Sequence, residues 1–287
     1  MQPSDPKTSG WLKLLKSIPA LLILCSTGIR ANAQELFVFT EPASNMAAGT
    51  VGLRLGNSFM KELHTGKTNY HLIPEVMMGL SKKIMVHGDM FLSNRNNAMV
   101  SEGGSLYAKY RFYSIDEVQK HFRMAAYGRY SFNNADIHQE EINLYGHNTG
   151  WEGGAVATQL LHKVALSSSL SYLAAQDNRT YKFPVSTNGE INRKAINYTF
   201  SAGRLMYPEE YTDYKQTNIN LMVEVLGQYN TGLKKHYLDI APSVQFIINS
   251  RSRIDVAYRY QLAASLRRTA PQGVFVRLEH NFFNAFK

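Results

Sequence analysis

The chain has 287 residues, enough for one large domain or two small ones, of which 44% are hydrophobic and 18% charged. Its net charge of +9 includes no lysine- and arginine-rich run, which argues against nucleic acid as a partner. This composition resembles that of soluble proteins, yet it does not exclude a membrane β-barrel, because only alternate residues of each strand of such a barrel contact lipid.

The N-terminus has the three parts of a secretory signal peptide. Lys13 and Lys16 precede an apolar run, Ile18 to Cys25, and Ala31-Asn32-Ala33 follows as a cleavage site. The run is far shorter than the roughly 20 residues of a transmembrane helix. We therefore expect residues 1–33 to be removed after export.

Two further expectations depend on this cleavage. A lipoprotein acylated at Cys25 is the alternative, but bulky Leu24 stands where lipoprotein signals resemble one another in having a small residue. Cleavage after Ala33 removes the only cysteine, so the mature chain would contain no disulfide. It also removes four basic residues and one acidic residue, which lowers the net charge from +9 to +6.

Beyond the signal, apolar and polar residues alternate with a period of two, the pattern of β-strands. The first predicted strand covers residues 51–60. The other eleven cover residues 72–80, 84–92, 106–112, 122–130, 151–160, 164–174, 196–201, 219–225, 238–248, 254–262 and 274–282. An even number near twelve predicts an all-β fold, a closed antiparallel transmembrane β-barrel at residues 49–287 preceded by a periplasmic N-terminal segment at 34–48.

The connections and the aromatic residues favour a membrane barrel over a soluble sheet protein. Short connections at 81–83, 114–121 and 161–163 alternate with long polar ones at 93–101, 133–149 and 176–193. Aromatic residues gather near strand ends, as in the girdles of outer-membrane barrels. We expect the loop at 133–149 to be exposed.

The polar strand faces carry many full charges, and twelve strands enclose more space than side chains fill. We therefore predict a wet lumen in which opposite charges pair across neighbouring strands. The predicted lumen-lining residues are Arg54, His71, Glu75, His87, Asp89, Lys109, Arg111, Arg123, Arg129, Glu224, Arg253, Asp255, Arg259, Arg277 and Glu279.

Taken together, these segments resemble Gram-negative outer-membrane proteins over nearly all of the mature chain. The segment from Val274 to Phe286 is similar to the aromatic-rich last strand that the barrel-assembly machinery reads, although the chain ends in Lys287. The hairpin from Pro74 to Lys83 resembles transporter-like barrels of aromatic-compound pathways. The resemblance implies an outer-membrane location, contact with outer-membrane lipid and assembly by that machinery.

Motifs for catalysis are sparse in this sequence. Outer-membrane phospholipases resemble one another in a His-x-Ser pair, which does not occur here. His87 and Asp89 share a strand face, so a membrane-embedded hydrolase stays open as a third hypothesis. If the hairpin register pairs Glu75 with His87, those two residues could contribute to a metal site, but ordinary lumen lining explains them equally. We predict no cofactor and no enzyme activity.

Three functions follow in order. The first is a channel or porin-like transporter for a small solute, with selectivity set by the charged lumen. The second is a closed barrel that acts as a surface-loop binding or structural protein. The third is the hydrolase.

Overall fold

The structure, a computed structural model, describes residues 37–63, 66–94, 98–117, 120–183, 193–208 and 215–286. The predicted signal peptide at 1–33 lies outside these residues. No helix in the described ranges is long and apolar enough to cross a membrane.

The described residues form twelve antiparallel strands, which confirms the predicted fold class. Each predicted strand coincides with an observed one, and most are longer than predicted because the ends of a strand carry less alternation than its centre. The strands are β1 (Val51–Lys61), β2 (Thr68–Gly79), β3 (Ile84–Ser93), β4 (Val100–Glu117), β5 (Lys120–Asn133), β6 (Thr149–Leu161), β7 (Val164–Gln176), β8 (Lys194–Tyr207), β9 (Thr217–Asn230), β10 (Lys235–Ile248), β11 (Ser252–Ala264) and β12 (Gln272–Phe282).

The sheet closes on itself. Each strand pairs with its neighbours in the chain, and β1 pairs with β12 from Val51 opposite Phe282 to Lys61 opposite Gln272. Closure leaves no strand edge with unpaired backbone groups, which is the condition for β-structure in lipid.

Burial alternates along the strands as the sequence pattern predicts. In β9, Leu221 and Val223 are exposed whereas Met222 and Glu224 are buried. Large apolar side chains cover the outer surface, with Leu106 at 68% and Leu170 at 60% exposure. An apolar exterior around a polar interior is the reverse of a soluble protein and suits lipid. Phe91, which the sequence pattern placed in an aromatic girdle, is instead buried inside the barrel.

The two ends of the barrel differ. Residues 80–83 and 162–163 make tight turns at one end, here called the turn-bearing end, where β1 also begins. The long connections at 134–148 and 177–193 emerge at the opposite, loop-bearing end.

Candidate functional site in the barrel lumen

The polypeptide before β1 crosses the lumen. Residues 37–48, here called the floor segment, contact strands on opposite walls, whereas the sequence analysis placed residues 34–48 in the periplasm. Phe37 and Val38 pack in an apolar cluster with Met222 and Phe275. The sequence pattern did not predict this position because a short mixed segment has no periodicity that distinguishes a polar lumen from water.

Two predicted lumen residues hold the start of the floor segment. The Glu224 carboxylate accepts the backbone N–H groups of Val38 at 2.7 Å, Phe39 at 3.0 Å and Thr40 at 2.7 Å. The Arg277 guanidinium donates to the carbonyl oxygens of Phe37 at 2.7 Å and Val38 at 2.9 Å. Charged groups make the stronger hydrogen bonds of proteins, so this pair fixes the segment firmly.

Two more predicted lumen residues hold the rest of the floor segment. The Lys109 ammonium donates to the carbonyl oxygens of Pro42 at 2.6 Å and Ser44 at 2.8 Å. Arg123 donates to the Ser44 hydroxyl at 2.9 Å. These cations, predicted to face an open pore, satisfy backbone groups that would otherwise be buried without partners.

Glu41, in the floor segment, faces several luminal charges. Its carboxylate lies 3.4 Å from the Lys109 ammonium and 3.8 Å from the Arg54 guanidinium. Burial opposes ionisation of Glu41, but the attraction of Lys109 and then Arg54 outweighs it and lowers the pKa of this carboxyl.

An ion-pair network joins the predicted charges of β1, β2, β11 and β12. Arg54 bridges Glu75 at 2.8 Å and Glu279 at 2.9 Å. The remaining pairs of the network are Arg253 with Glu279 at 2.6 Å and Arg277 with Asp255 at 2.6 Å. Because each buried charge has an opposite partner, the network carries little uncompensated charge.

The loop at 134–148, here called the inward loop, folds into the barrel, so the prediction of an exposed loop was wrong. Its Ile137, Ile142 and Leu144 are buried in an apolar cluster with Leu173 and Phe183. Apolar residues between the polar ones of this loop drive the inward fold, because burial removes them from water.

A side chain from β9 clamps the inward loop. The Gln228 amide nitrogen donates to the Ile142 carbonyl at 2.7 Å, and the Gln228 amide oxygen accepts the Ile142 N–H at 3.0 Å. This reciprocal pair satisfies a buried backbone unit as a strand partner would.

Ion pairs hold the other side of the inward loop. Glu141 accepts from Arg268 at 2.7 Å, and Arg268 also bonds Asp239 at 2.8 Å. Burial opposes ionisation of Glu141, but attraction by Arg268 and Arg259 outweighs it and lowers the pKa of this carboxyl. Arg259 itself lies 2.7 Å from Asp239.

A cavity of about 430 Å³, here called the vestibule, lies between these segments. Val38 to Glu41 of the floor segment and residues 141–145 of the inward loop line it, together with Met60, Asn94 and Thr269 near the loop-bearing end. Most of its strand residues belong to the loop-bearing halves of their strands. The vestibule therefore extends from the loop-bearing end to the floor segment.

The hairpin of β2 and β3 has a register different from the one considered for a metal site. Glu75 pairs with Asp89, and His87 pairs with Met77. The His87 Nδ1 atom still lies 3.1 Å diagonally from a Glu75 oxygen. The described residues contain no group of three or more histidine, cysteine or acidic side chains arranged for a metal ion.

The remaining predicted residues have separate positions. Arg129 bonds Asp89 at 2.8 Å, and the His71 ring lies 4.8 Å from the His147 ring of the inward loop. Arg111 differs from the prediction: it donates to the Lys82 carbonyl at 2.7 Å at the turn-bearing end. A register shift between Arg111 and Tyr113 interrupts the alternation there.

Sequence reasoning missed Arg268, Glu141, Gln228 and Tyr107 as luminal residues. The first two lie in connections, where no alternation predicts a direction. Gln228 and Tyr107 lie on alternating strands, and their parity with Glu224 and Lys109 was the signal that could have found them.

No protein-family profile matches the sequence, and no curated protein matches it either. Among solved structures, the crystal structure of an outer membrane channel from Pseudomonas putida F1 is similar at 12% identity with a TM-score of 0.53, covering 85% of this chain and 99% of that chain. The NanC porin is similar at 10% identity with a TM-score of 0.50, covering 80% and 98%. By its fold, the chain is therefore a transporter-like outer-membrane β-barrel.

Proposed function

We propose that the chain is a gated outer-membrane channel for a small solute, closed in this conformation by the floor segment. The observation that supports the proposal is the vestibule, a polar cavity that extends from the loop-bearing end and stops at Val38 to Glu41. Cavities of this size, roughly 300–1,000 Å³, are typical of small-molecule sites.

The means of closure favours a gate over a permanent seal. Hydrogen bonds, ion pairs and apolar contacts hold the floor segment, and none of these is covalent. When the segment leaves, Glu224, Arg277 and Lys109 would line the lower lumen and carry the selectivity of the pore.

The orientation follows from the two ends. We place the turn-bearing end in the periplasm, the loop-bearing end outside the cell, and the exposed apolar belt in the outer membrane of a Gram-negative bacterium. Export by the segment at 1–33 and insertion by the barrel-assembly machinery belong to the same proposal.

The inward loop bears on the second hypothesis, a surface-loop binding protein. Residues 134–148 are largely occupied by contacts inside the barrel, which removes the longest described candidate for an exposed platform. The channel is therefore the function that the geometry supports best.

For the hydrolase hypothesis, the partners of the two candidate residues are informative. Asp89 accepts bonds from Arg129 and Ser105, and His87 faces Glu75. We propose that these residues are structural. Lipid or peptide hydrolysis that disappears in both His87→Ala and Asp89→Ala would overturn this assignment.

Planar-bilayer recording tests the channel. The purified full chain is compared with a variant that lacks residues 37–46, and heat-modifiable gel mobility shows that both barrels are folded. We expect short, rare openings of the full chain and a sustained conductance of the variant. A folded variant that stays electrically silent would overturn the proposal.

A further inference from the structure

We infer that the vestibule contains a binding site for a small neutral polyhydroxylated solute, of about monosaccharide size, centred on His87 and Tyr107. The inference builds on the proposed channel function, because it names the class of solute that enters the vestibule. It is argued from two polar atoms, from the rings that carry them and from the charges around them.

Two buried polar atoms at the vestibule wall have no hydrogen-bond partner in the described part of the chain. They are the Nε2 atom of His87 and the hydroxyl of Tyr107. Both residues line the vestibule, and both are more than nine-tenths buried, at 5% and 4% exposure. Buried polar groups in proteins almost always have partners, so a pair of orphans beside one cavity points to a ligand.

The chemistry of the two atoms is complementary. Because the Nδ1 atom of His87 lies 3.1 Å from Glu75, its N–H donates to that carboxylate, which leaves Nε2 as an acceptor. The Tyr107 hydroxyl can donate and accept. A ligand hydroxyl, itself both donor and acceptor, satisfies the two atoms together.

The two side chains are held side by side. His87 and Tyr107 are directly opposite in the register of β3 and β4, and their ring centroids lie 4.8 Å apart. Tyr127 continues the row at 5.6 Å from Tyr107. Apolar ring faces with polar edges match the alternating C–H and O–H groups of a sugar.

The charges of the wall select against ions. All five arginines that line the vestibule in the described ranges pair with carboxylates: Arg54 with Glu75, Arg129 with Asp89, Arg259 with Asp239, Arg268 with Glu141 and Arg277 with Asp255. A charged solute would lose its hydration without finding an unpaired counter-ion. A neutral solute avoids this loss, and Ser169, Asn197 and Thr199 add polar groups to the wall.

The test uses three probes of similar size and different charge: glucose, gluconate and glucosamine. Binding to the folded full chain in detergent is measured by titration calorimetry and saturation-transfer NMR. We expect glucose to bind more tightly than the two ions. Tyr107→Phe, which removes one hydrogen bond, should weaken glucose binding about tenfold.

The matched control is Tyr110→Phe, which removes a hydroxyl from an exposed tyrosine of the same strand and should leave binding unchanged. Melting and heat-modifiable mobility confirm that each variant is folded, and His87→Gln tests the site independently if Tyr107→Phe does not fold. Glucose binding that both site variants leave unchanged overturns the site, and equal or tighter binding of gluconate or glucosamine overturns the preference for neutral solutes.

The channel proposal fails separately. If the variant without residues 37–46 is folded but silent, while glucose binding depends on Tyr107, the binding site stands and the pore does not. If that variant conducts and glucose does not bind the full chain, the pore stands and the binding site does not.

Discussion

Glu224 on β9 and Val38 of the floor segment are joined by a hydrogen bond of 2.7 Å across 186 positions of sequence. The same carboxylate accepts the next two backbone N–H groups. A carboxylate that accepts three consecutive amides fixes the backbone as well as the position of the segment. We regard this contact as the latch of the channel.

Glu224→Ala should open the channel. It leaves three backbone N–H groups without their acceptor, and each hydrogen bond to a charged group contributes about 1.5–3 kcal/mol. The loss of even one such bond shifts the equilibrium between docked and released floor segment by about tenfold or more. Single-channel recording should show a correspondingly larger open fraction, whereas Glu117→Ala, at an exposed glutamate of β4, should not.

Arg268→Ala should release the inward loop and widen the vestibule. The substitution strands Glu141 and Asp239 without their shared cation, and breaking a buried ion pair costs about 3–5 kcal/mol. In the channel that lacks residues 37–46, we expect a larger unitary conductance. Arg267→Ala is the control, because Arg267 is exposed and bonds Glu140 through its backbone N–H. An unchanged conductance would contradict the assignment of Arg268 as an anchor.

Acidification should also release the inward loop. Despite the opposing effect of burial, Arg268 and Arg259 hold the pKa of Glu141 below its ordinary value of 4.5. A carboxyl with a lowered pKa stabilises the docked loop fully above pH 4.5 and loses that contribution as the pH falls through the lowered pKa. Unitary conductance of the channel without residues 37–46 should be constant from pH 7 to 4.5 and rise below that pH.

Glu141→Gln provides the control for the pH experiment. The neutral amide cannot titrate, so this variant should show the high conductance already at pH 7 and a smaller change on acidification. A conductance rise of equal size in both proteins would assign the titration to another group.

Leu170→Arg should impair insertion into lipid. Leu170 lies in the middle of β7 and is 60% exposed on the outer surface. An arginine at the bilayer midplane costs a membrane barrel about 2–4 kcal/mol. Folding into lipid vesicles, followed by heat-modifiable mobility, should show this loss, whereas Leu63→Arg, in the connection between β1 and β2, should fold as the wild type does.

The sequence by itself determined the walls of this protein. Alternation is a local property of a strand, so the direction of residues such as Leu221 and Glu224 follows from parity alone, and twelve such segments predict a barrel. The many charges on one face predicted a polar interior, because lipid cannot surround them. Arg111 shows the limit, since a bulge beside it interrupts the parity.

Only the tertiary structure decided what fills the lumen. The floor segment and the inward loop are short polar and apolar mixtures, and such sequences look alike whether they face bulk water or a wet lumen. Their positions depend on partners far away in the chain, such as Arg277 for Phe37 and Gln228 for Ile142. The register that separates Glu75 from a direct pairing with His87 is likewise set by the closed sheet as a whole.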